Sequence, residues 1–117
     1  MMNILIVDDE EDVCRTLSLI LIRHGYTCQT ATNGAEALKR CSEETFDVVL
    51  TDRGMPGMNG LELAEHIKAN SPQTRIILIT GWPGPLTDDE RARTGIETVL
   101  TKPISKTELL NVLTTKP

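Results

Sequence analysis

Short apolar runs alternate along the chain with stretches in which apolar residues recur at helical spacing. The runs are rich in valine and isoleucine and are bounded by polar residues, which is typical of strands buried on both faces of a parallel sheet. They predict five strands, at about residues 3–8, 27–31, 47–52, 75–80 and 97–101. Helical segments fill the gaps between the strands, so the order of elements predicts an α/β fold with a parallel sheet.

Four of the helical segments begin with a residue that can cap a helix, followed by glutamate three positions later. This spacing is the sequence signature of a capping box and fixes where each helix begins. The pairs are Asn33 with Glu36, Asn59 with Glu62, Thr87 with Glu90, and Ser105 with Glu108.

Length and charge restrict the class of protein. The 117 residues carry a net charge of -5, and we expect a single domain over residues 1–117. An acidic chain without clustered Lys and Arg is not expected to bind nucleic acid directly. The apolar runs are too short to enter a membrane as a spanning helix, and no signal peptide precedes the first strand, so we expect a cytoplasmic protein. The three cysteines are far apart, which indicates neither a disulfide framework nor a zinc site.

Acidic residues follow two of the predicted strands. Asp8 and Asp9 come after the first apolar run, and Asp52 comes after the third. Because the carboxyl ends of parallel strands meet at one edge of a sheet, we expect these three side chains to share a crevice there. Three carboxylates repel one another unless a cation lies among them, and Mg2+ is the first candidate for such a cation. The next acids, 10–12, are assigned to the first turn of a helix, where negative charge is favourable.

Two further polar side chains are expected at the same edge. Thr80 closes the fourth apolar run, and Lys102 with Pro103 follows the fifth. A carboxylate nucleophile, metal-binding acids, a hydroxyl donor and an ammonium group are what an aspartate needs in order to accept a phosphoryl group.

Together these residues resemble the receiver domain of two-component response regulators, from Asn3 to about Leu113. The family pattern is an acidic pair after the first strand, a phospho-acceptor Asp after the third, Thr or Ser after the fourth and Lys-Pro after the fifth. The segment 55–60 also resembles the family's loop after the acceptor, and Gly95 resembles the glycine before the fifth strand. The resemblance implies a flavodoxin-like, doubly wound sheet of order 2-1-3-4-5 with helices on both faces.

The resemblance also implies roles for individual residues. Asp52 would attack a phosphohistidine and become an aspartyl phosphate, while Thr80 would hydrogen-bond the phosphoryl group and Lys102 would pair with one of its oxygens. The resemblance further implies a Mg2+ site that includes Asp52 among its ligands. The implied Mg2+ contacts are Asp9 directly, Asp8 through a water and the backbone carbonyl of Arg53, and the Lys102-Pro103 peptide bond would be cis.

As a receiver, the chain would signal by conformational change and would promote only its own phosphorylation and dephosphorylation. Its expected partner is a sensor histidine kinase or a phosphotransfer protein, followed by a downstream effector or a phosphorylation-dependent homodimer. A phosphorylation-independent interaction domain stays open as an alternative. An Asp-nucleophile phosphatase of the haloacid-dehalogenase type would need D-x-D after the first strand, and a flavin-binding module would need a phosphate loop in place of carboxylates.

The chain departs from the family pattern at three places. Val99 occupies the position where the family usually has Tyr or Phe, which puts the usual aromatic switch in doubt. Gly54 and Trp82 stand two residues after the acceptor and the threonine, where the resemblance implies that side chains flank the path of the hydrolytic water. The glycine- and proline-rich loop 81–85 predicts a late, short fourth helix beginning near Thr87 and an exposed or lid-like Trp82.

Overall fold

The carboxyl ends of five parallel strands form one edge of the sheet in the computed structural model, which describes residues 2–82 and 84–115. The strand order is β2-β1-β3-β4-β5, so the predicted fold class and topology are confirmed. The strands are β1 Asn3–Val7, β2 Thr27–Ala31, β3 Val48–Asp52, β4 Arg75–Thr80 and β5 Thr98–Thr101.

Three predicted strands are one residue too long. Asp8, Asp47 and Glu97 lie just outside β1, β3 and β5. Each still donates its backbone N–H to a neighbouring strand, to the carbonyls of Ala31, Asn3 and Ile76 at 3.1, 2.8 and 2.9 Å respectively. Since the hydrogen bonding continues through these residues, the difference lies in where the strand ends are drawn.

Helices connect the strands and begin where the cap residues predict. Asn33, Asn59, Thr87 and Ser105 each accept a hydrogen bond from the backbone N–H three residues later. The helices are α1 Glu11–Arg23, α2 Gly34–Glu43, α3 Gly60–Asn70, α4 Asp88–Thr94 and α5 Lys106–Thr114. The short α4 is the late fourth helix that the loop predicts. Within the described residues, none of these helices has the length and apolar character that a membrane crossing needs.

The core has one layer on each face of the sheet. Successive strand residues point to opposite faces, so Leu5 and Val7 pack with α2 and α3 while Ile4 and Ile6 pack with α1 and α5. The central strands β1 and β3 are buried on both faces. This burial fixes the register of the strands and therefore the positions of the polar residues at their carboxyl ends.

Candidate functional site

Three aspartates meet at the carboxyl edge of the sheet, as their positions after β1 and β3 predict. One carboxylate oxygen from each of Asp8, Asp9 and Asp52 lies within 4.8 Å of the others. Asp8 and Asp52 are buried, and Asp9 is exposed. The crevice follows from the pairing of β1 with β3 as neighbouring parallel strands. It therefore concentrates negative charge at the carboxyl edge of the sheet.

Asp8 has two local partners. Its Oδ1 accepts a hydrogen bond from the backbone N–H of Glu10 at 2.9 Å, and its Oδ2 accepts one from Lys102 Nζ at 3.3 Å. Burial raises the pKa of Asp8, and the Asp52 carboxylate adds to this effect, against the opposing contribution of the Glu10 amide and Lys102. The charged form of Asp8 is therefore costly without a further cation nearby.

The acidic residues after Asp9 lie at the start of α1. Glu10 is the N-cap residue rather than part of the first turn, while Glu11 and Asp12 occupy that turn. All three are exposed, which agrees with a role in complementing the helix dipole. Asp8, two residues before Glu10, accepts the hydrogen bond of the Glu10 amide and so links the crevice to the beginning of α1.

Lys102 brings the opposite charge. Its Nζ lies 3.4 Å from Oδ1 of Asp52 as well as 3.3 Å from Asp8. Burial lowers the pKa of Lys102, but the two carboxylates outweigh burial and leave the pKa above its ordinary value. Its backbone N–H donates to the carbonyl of Thr80 at 2.8 Å, and the Lys102-Pro103 peptide bond is cis, as the resemblance implies.

Thr80 lies at the end of β4 and is buried. Asp52 on β3 pairs in register with Ile79 on β4. Thr80 is the next residue after Ile79, so it lies at the same edge of the sheet as Asp52. The Thr80 Oγ1 accepts a hydrogen bond from the backbone N–H of Trp82 at 3.0 Å. The Trp82 residue is 74% exposed, which confirms that it lies outside the core.

The chain just after Asp52 is fixed by two neighbours. The backbone N–H of Arg53 donates to Ile79 at 2.9 Å, and its carbonyl accepts from the N–H of Gly60 at 3.0 Å. A Cβ at position 60 would overlap the Asp52 carbonyl oxygen, so only glycine fits at the start of α3 here. One lone pair of the Arg53 carbonyl is already used, whereas the Gly54 carbonyl accepts no hydrogen bond within the described residues.

Comparison with known proteins identifies this arrangement of residues. The sequence pattern of the response regulator receiver domain matches residues 4–114. The chain belongs to this family. It is a receiver domain of two-component response regulators, a family of signalling domains whose expected function is the acceptance of a phosphoryl group.

Two curated relatives illustrate the range of proteins that contain this receiver domain. The response regulator receiver protein CpdR of Brucella abortus is 35% identical over 111 residues, which are 95% of this chain and 92% of CpdR. The response regulator protein PilR of Pseudomonas aeruginosa is 34% identical over 111 residues, again 95% of this chain. The chain spans only 25% of PilR, so most of PilR has no counterpart in it.

Solved receiver structures share the fold closely. The chemotaxis protein CheY4 of Vibrio cholerae superposes with a TM-score of 0.89 at 32% identity, covering 97% of this chain and 96% of CheY4. The response regulator TrrA of Thermotoga maritima, solved in complex with Mg2+ and BeF, gives a TM-score of 0.87 at 34% identity over 97% of this chain and 96% of TrrA.

The contact between Arg53 and Glu90 is among those at this receiver site that sequence reasoning missed. The Arg53 side chain reaches α4, where its Nη2 lies 3.4 Å from Oε2 of Glu90. The two residues are 37 positions apart and belong to no common motif. The capping-box pattern at Thr87 identified Glu90 as a cap, but nothing in the sequence assigned its second carboxylate oxygen to an arginine beside the acceptor.

Proposed function

We propose that Asp52 of this receiver domain accepts a phosphoryl group from a phosphohistidine in a reaction that requires Mg2+. The observation that carries the proposal is the position of Asp52 Oδ1, 3.4 Å from the Lys102 ammonium and within a cluster of three carboxylates. Asp52 therefore contacts the Lys102 ammonium and also lies in the carboxylate cluster, where a metal cation could bind. Receiver family membership supports the same chemistry.

The donor set at the crevice fits Mg2+. Carboxylate and carbonyl oxygens are the hard ligands that this ion prefers, and one carboxylate oxygen from each of Asp8, Asp9 and Asp52 lies within 4.8 Å of the others. Burial raises the pKa of Asp8 and the Asp52 carboxylate adds to the effect, so a bound cation would favour the charged form of Asp8. Asp9 and Asp52 would bind the ion directly, Asp8 would act through a water, and a backbone carbonyl at Arg53 or Gly54 would add an oxygen. When bound, Mg2+ neutralises charge on the oxygens of the transferring phosphoryl group.

The residues of the chain have separate roles in the proposed transfer. The Asp52 carboxylate attacks phosphorus, the bond from phosphorus to the donor's imidazole nitrogen breaks, and the imidazole leaves with the electron pair. Lys102 pairs with a phosphoryl oxygen as a point charge. The Thr80 hydroxyl accepts a hydrogen bond from the Trp82 amide, so its own hydrogen is available to donate to the phosphoryl group.

The rim of the site offers a surface to the phosphohistidine donor. An apolar hollow beside Lys102 lies between the start of α1 and the segment after β5, lined by Val13, Thr16, Pro103 and Ile104. A sensor histidine kinase or a phosphotransfer protein must bring its imidazole to Asp52, and this hollow is next to the ammonium that Asp52 contacts. We therefore assign the hollow to this donor. Output would pass to a downstream effector or a homodimer partner.

Intact-mass measurement after incubation with acetyl phosphate and Mg2+ tests the proposal. The wild-type chain should gain one phosphoryl group, and Asp52→Asn should gain none. Asp88→Asn, which changes an exposed aspartate at the start of α4, is the matched control and should gain as the wild type does. A gain by Asp52→Asn, or a gain that persists when Mg2+ is chelated, would show that the assignment is wrong. A wild type that never gains would favour a phosphorylation-independent interaction domain.

A further inference from the structure

The loop between β4 and α4 is anchored by a hydrogen bond at each of its ends, to the site at its start and to the cap of α4 at its end. At its start, the Trp82 amide donates to the Thr80 hydroxyl at 3.0 Å. At its end, Thr87 caps α4 and its backbone N–H donates to Oε1 of Glu90 at 2.9 Å. Between these anchors, Leu86 is the one buried residue among the described positions 81–82 and 84–87. The other described residues of the loop are exposed.

Arg53 connects the second anchor to the acceptor strand. Its backbone is held by Ile79 and Gly60, so its side chain extends from a fixed base. The Arg53 Nη2 lies 3.4 Å from Oε2 of Glu90, with 31% and 19% of the two side chains exposed. Glu90 thus uses one carboxylate oxygen to cap α4 and the other to pair with the residue that follows Asp52.

The Arg53 side chain also forms one side of a space beside the loop. A pocket lies between the Arg53 side chain and the loop, and Trp82, Gly84 and Pro85 supply its other walls. Arg93, on the same helix as Glu90, pairs instead with Glu65 and Asp89. Within the described residues, the ion pair that Glu90 forms is with Arg53.

We infer that Glu90 is a positioning residue for the phosphoryl chemistry at Asp52, acting through Arg53 on the loop residues 81–82 and 84–87. The inference rests on the proposed function. Glu90 contacts Arg53, the Arg53 side chain lines one pocket with Trp82, and the Trp82 amide donates to the Thr80 hydroxyl. That amide occupies a lone pair of the Thr80 oxygen, which leaves the hydroxyl hydrogen free for a phosphoryl oxygen. If the loop loosens, Thr80 loses this orientation and water gains access to the aspartyl phosphate.

Glu90→Gln removes the ion pair with Arg53 but keeps the cap of α4. The glutamine keeps an oxygen that can accept from the Thr87 N–H, but it lacks the charge that attracts Arg53. Glu62→Gln is the matched control because Glu62 occupies the same third position of a capping box, in α3 with Asn59, and forms no ion pair within the described residues. The two variants remove the same charge from the same helical position.

The measured quantity is the lifetime of the aspartyl phosphate. It is obtained from the rate of phosphate release after the donor is removed. It should fall about two- to fivefold in Glu90→Gln, the range that a partly exposed ion pair can carry, and stay unchanged in Glu62→Gln. The Mg2+ affinity should be the same in all three proteins, because the carboxylates of the crevice are not altered. A change in Mg2+ affinity would overturn the inference.

Arg53→Gln leaves the capping box intact and gives a second, independent variant. It should shorten the lifetime by the same factor as Glu90→Gln, and the double variant should be no shorter-lived than either, because all three lack one and the same interaction. Additive effects, or a wild-type lifetime in both single variants, would overturn the inference while leaving phosphoryl acceptance established. If the wild type accepts no phosphoryl group, the proposed function fails first and the inference fails with it.

Discussion

The Lys102 ammonium lies 3.4 Å from Oδ1 of Asp52, although the two residues come from opposite sides of β4 in the strand order. This contact neutralises part of the charge that Mg2+ would otherwise meet at the crevice. Lys102→Met should therefore bind Mg2+ more tightly, since the fixed cation no longer competes with the ion. The same variant should accept a phosphoryl group at least about tenfold more slowly, because a charge that stabilises the transferring oxygens is gone.

The two effects of Lys102→Met have opposite signs and are measured separately. Mg2+ affinity is obtained by titration with Trp82 emission as the probe, and the rate of phosphorylation by intact mass. Lys106→Met, on an exposed lysine of α5, is the control and should change neither. Weaker Mg2+ binding in Lys102→Met would contradict the electrostatic account.

Gly60→Ala should disturb both folding and the site. The added methyl group would overlap the carbonyl oxygen of Asp52, and overpacking of this kind costs about 1–3 kcal/mol in the free energy of unfolding. Phosphorylation should slow as well, because the backbone of the acceptor must shift. Urea denaturation measures the first effect. Gly81→Ala has open space around its Cβ, and a loss of stability equal to that of Gly60→Ala would show that the close approach is not the cause.

Val99 should weaken the coupling between the phosphoryl site and the last strand and helix. Its side chain is half-buried against the core cluster that contains Leu78, its partner in β4, and valine has no ring to rotate when Thr80 moves. Allosteric coupling is typically about 1–3 kcal/mol, and we expect the low end. Backbone amide shifts on beryllofluoride binding should stay near the loops after Asp52 and Thr80. Shifts spread over 97–113 in the wild type would contradict this, and Val99→Tyr should produce such a spread.

The sheet and the crevice could be predicted because both depend on local patterns. Apolar runs predicted the strands, and a parallel sheet brings Asp8 and Asp52, at the ends of β1 and β3, to one edge whatever path the loops take. The contacts of Arg53 with Glu90 and of Trp82 with Thr80 could not be predicted, because they depend on the path of an irregular loop. The close approach of Gly60 to Asp52 was equally hidden, since the segment 55–60 indicates a turn without indicating what it packs against.

The aspartyl phosphate should be comparatively long-lived. Gly54 offers no side chain to orient a hydrolytic water, and the large Trp82 indole would exclude solvent instead of placing a nucleophile, which general base catalysis requires within hydrogen-bond reach. A Gly54→Asn, Trp82→Glu double variant should therefore release phosphate faster than the wild type at fixed Mg2+ and pH. An equal or slower release would show that these two positions do not control hydrolysis.

An ion pair on the opposite edge of the sheet should control acid stability. Arg75 donates to both carboxylate oxygens of Glu97, at 2.8 and 2.6 Å, and to three carbonyls at the end of α5. The described part of α5 has no basic residue in its own last turn, so Arg75 supplies that charge. Hydrogen bonding to Arg75 lowers the pKa of Glu97 below its ordinary value of 4.5. Its stabilising contribution is therefore present above pH 4.5 and lost as the pH falls through the lowered pKa.

Glu97→Gln should reduce the free energy of unfolding by about 1–3 kcal/mol at neutral pH, since it weakens a charged hydrogen-bond pair that is largely buried. The difference from wild type should shrink below pH 4.5. Urea denaturation at several pH values measures both effects. Glu43→Gln, at an exposed position at the end of α2, is the control, and a Glu97→Gln difference that persists undiminished in acid would refute the linkage to this carboxyl.

The lysine that contacts Asp8 stands 94 residues further along the chain. During synthesis, the acidic pair and Asp52 leave the ribosome well before Lys102 does. A nascent chain or a truncated chain that stops before β5 thus has the nucleophile without its ammonium partner. Phosphoryl acceptance at its full rate therefore requires that the last strand has joined the sheet, so the rate of modification reports how far the domain has folded.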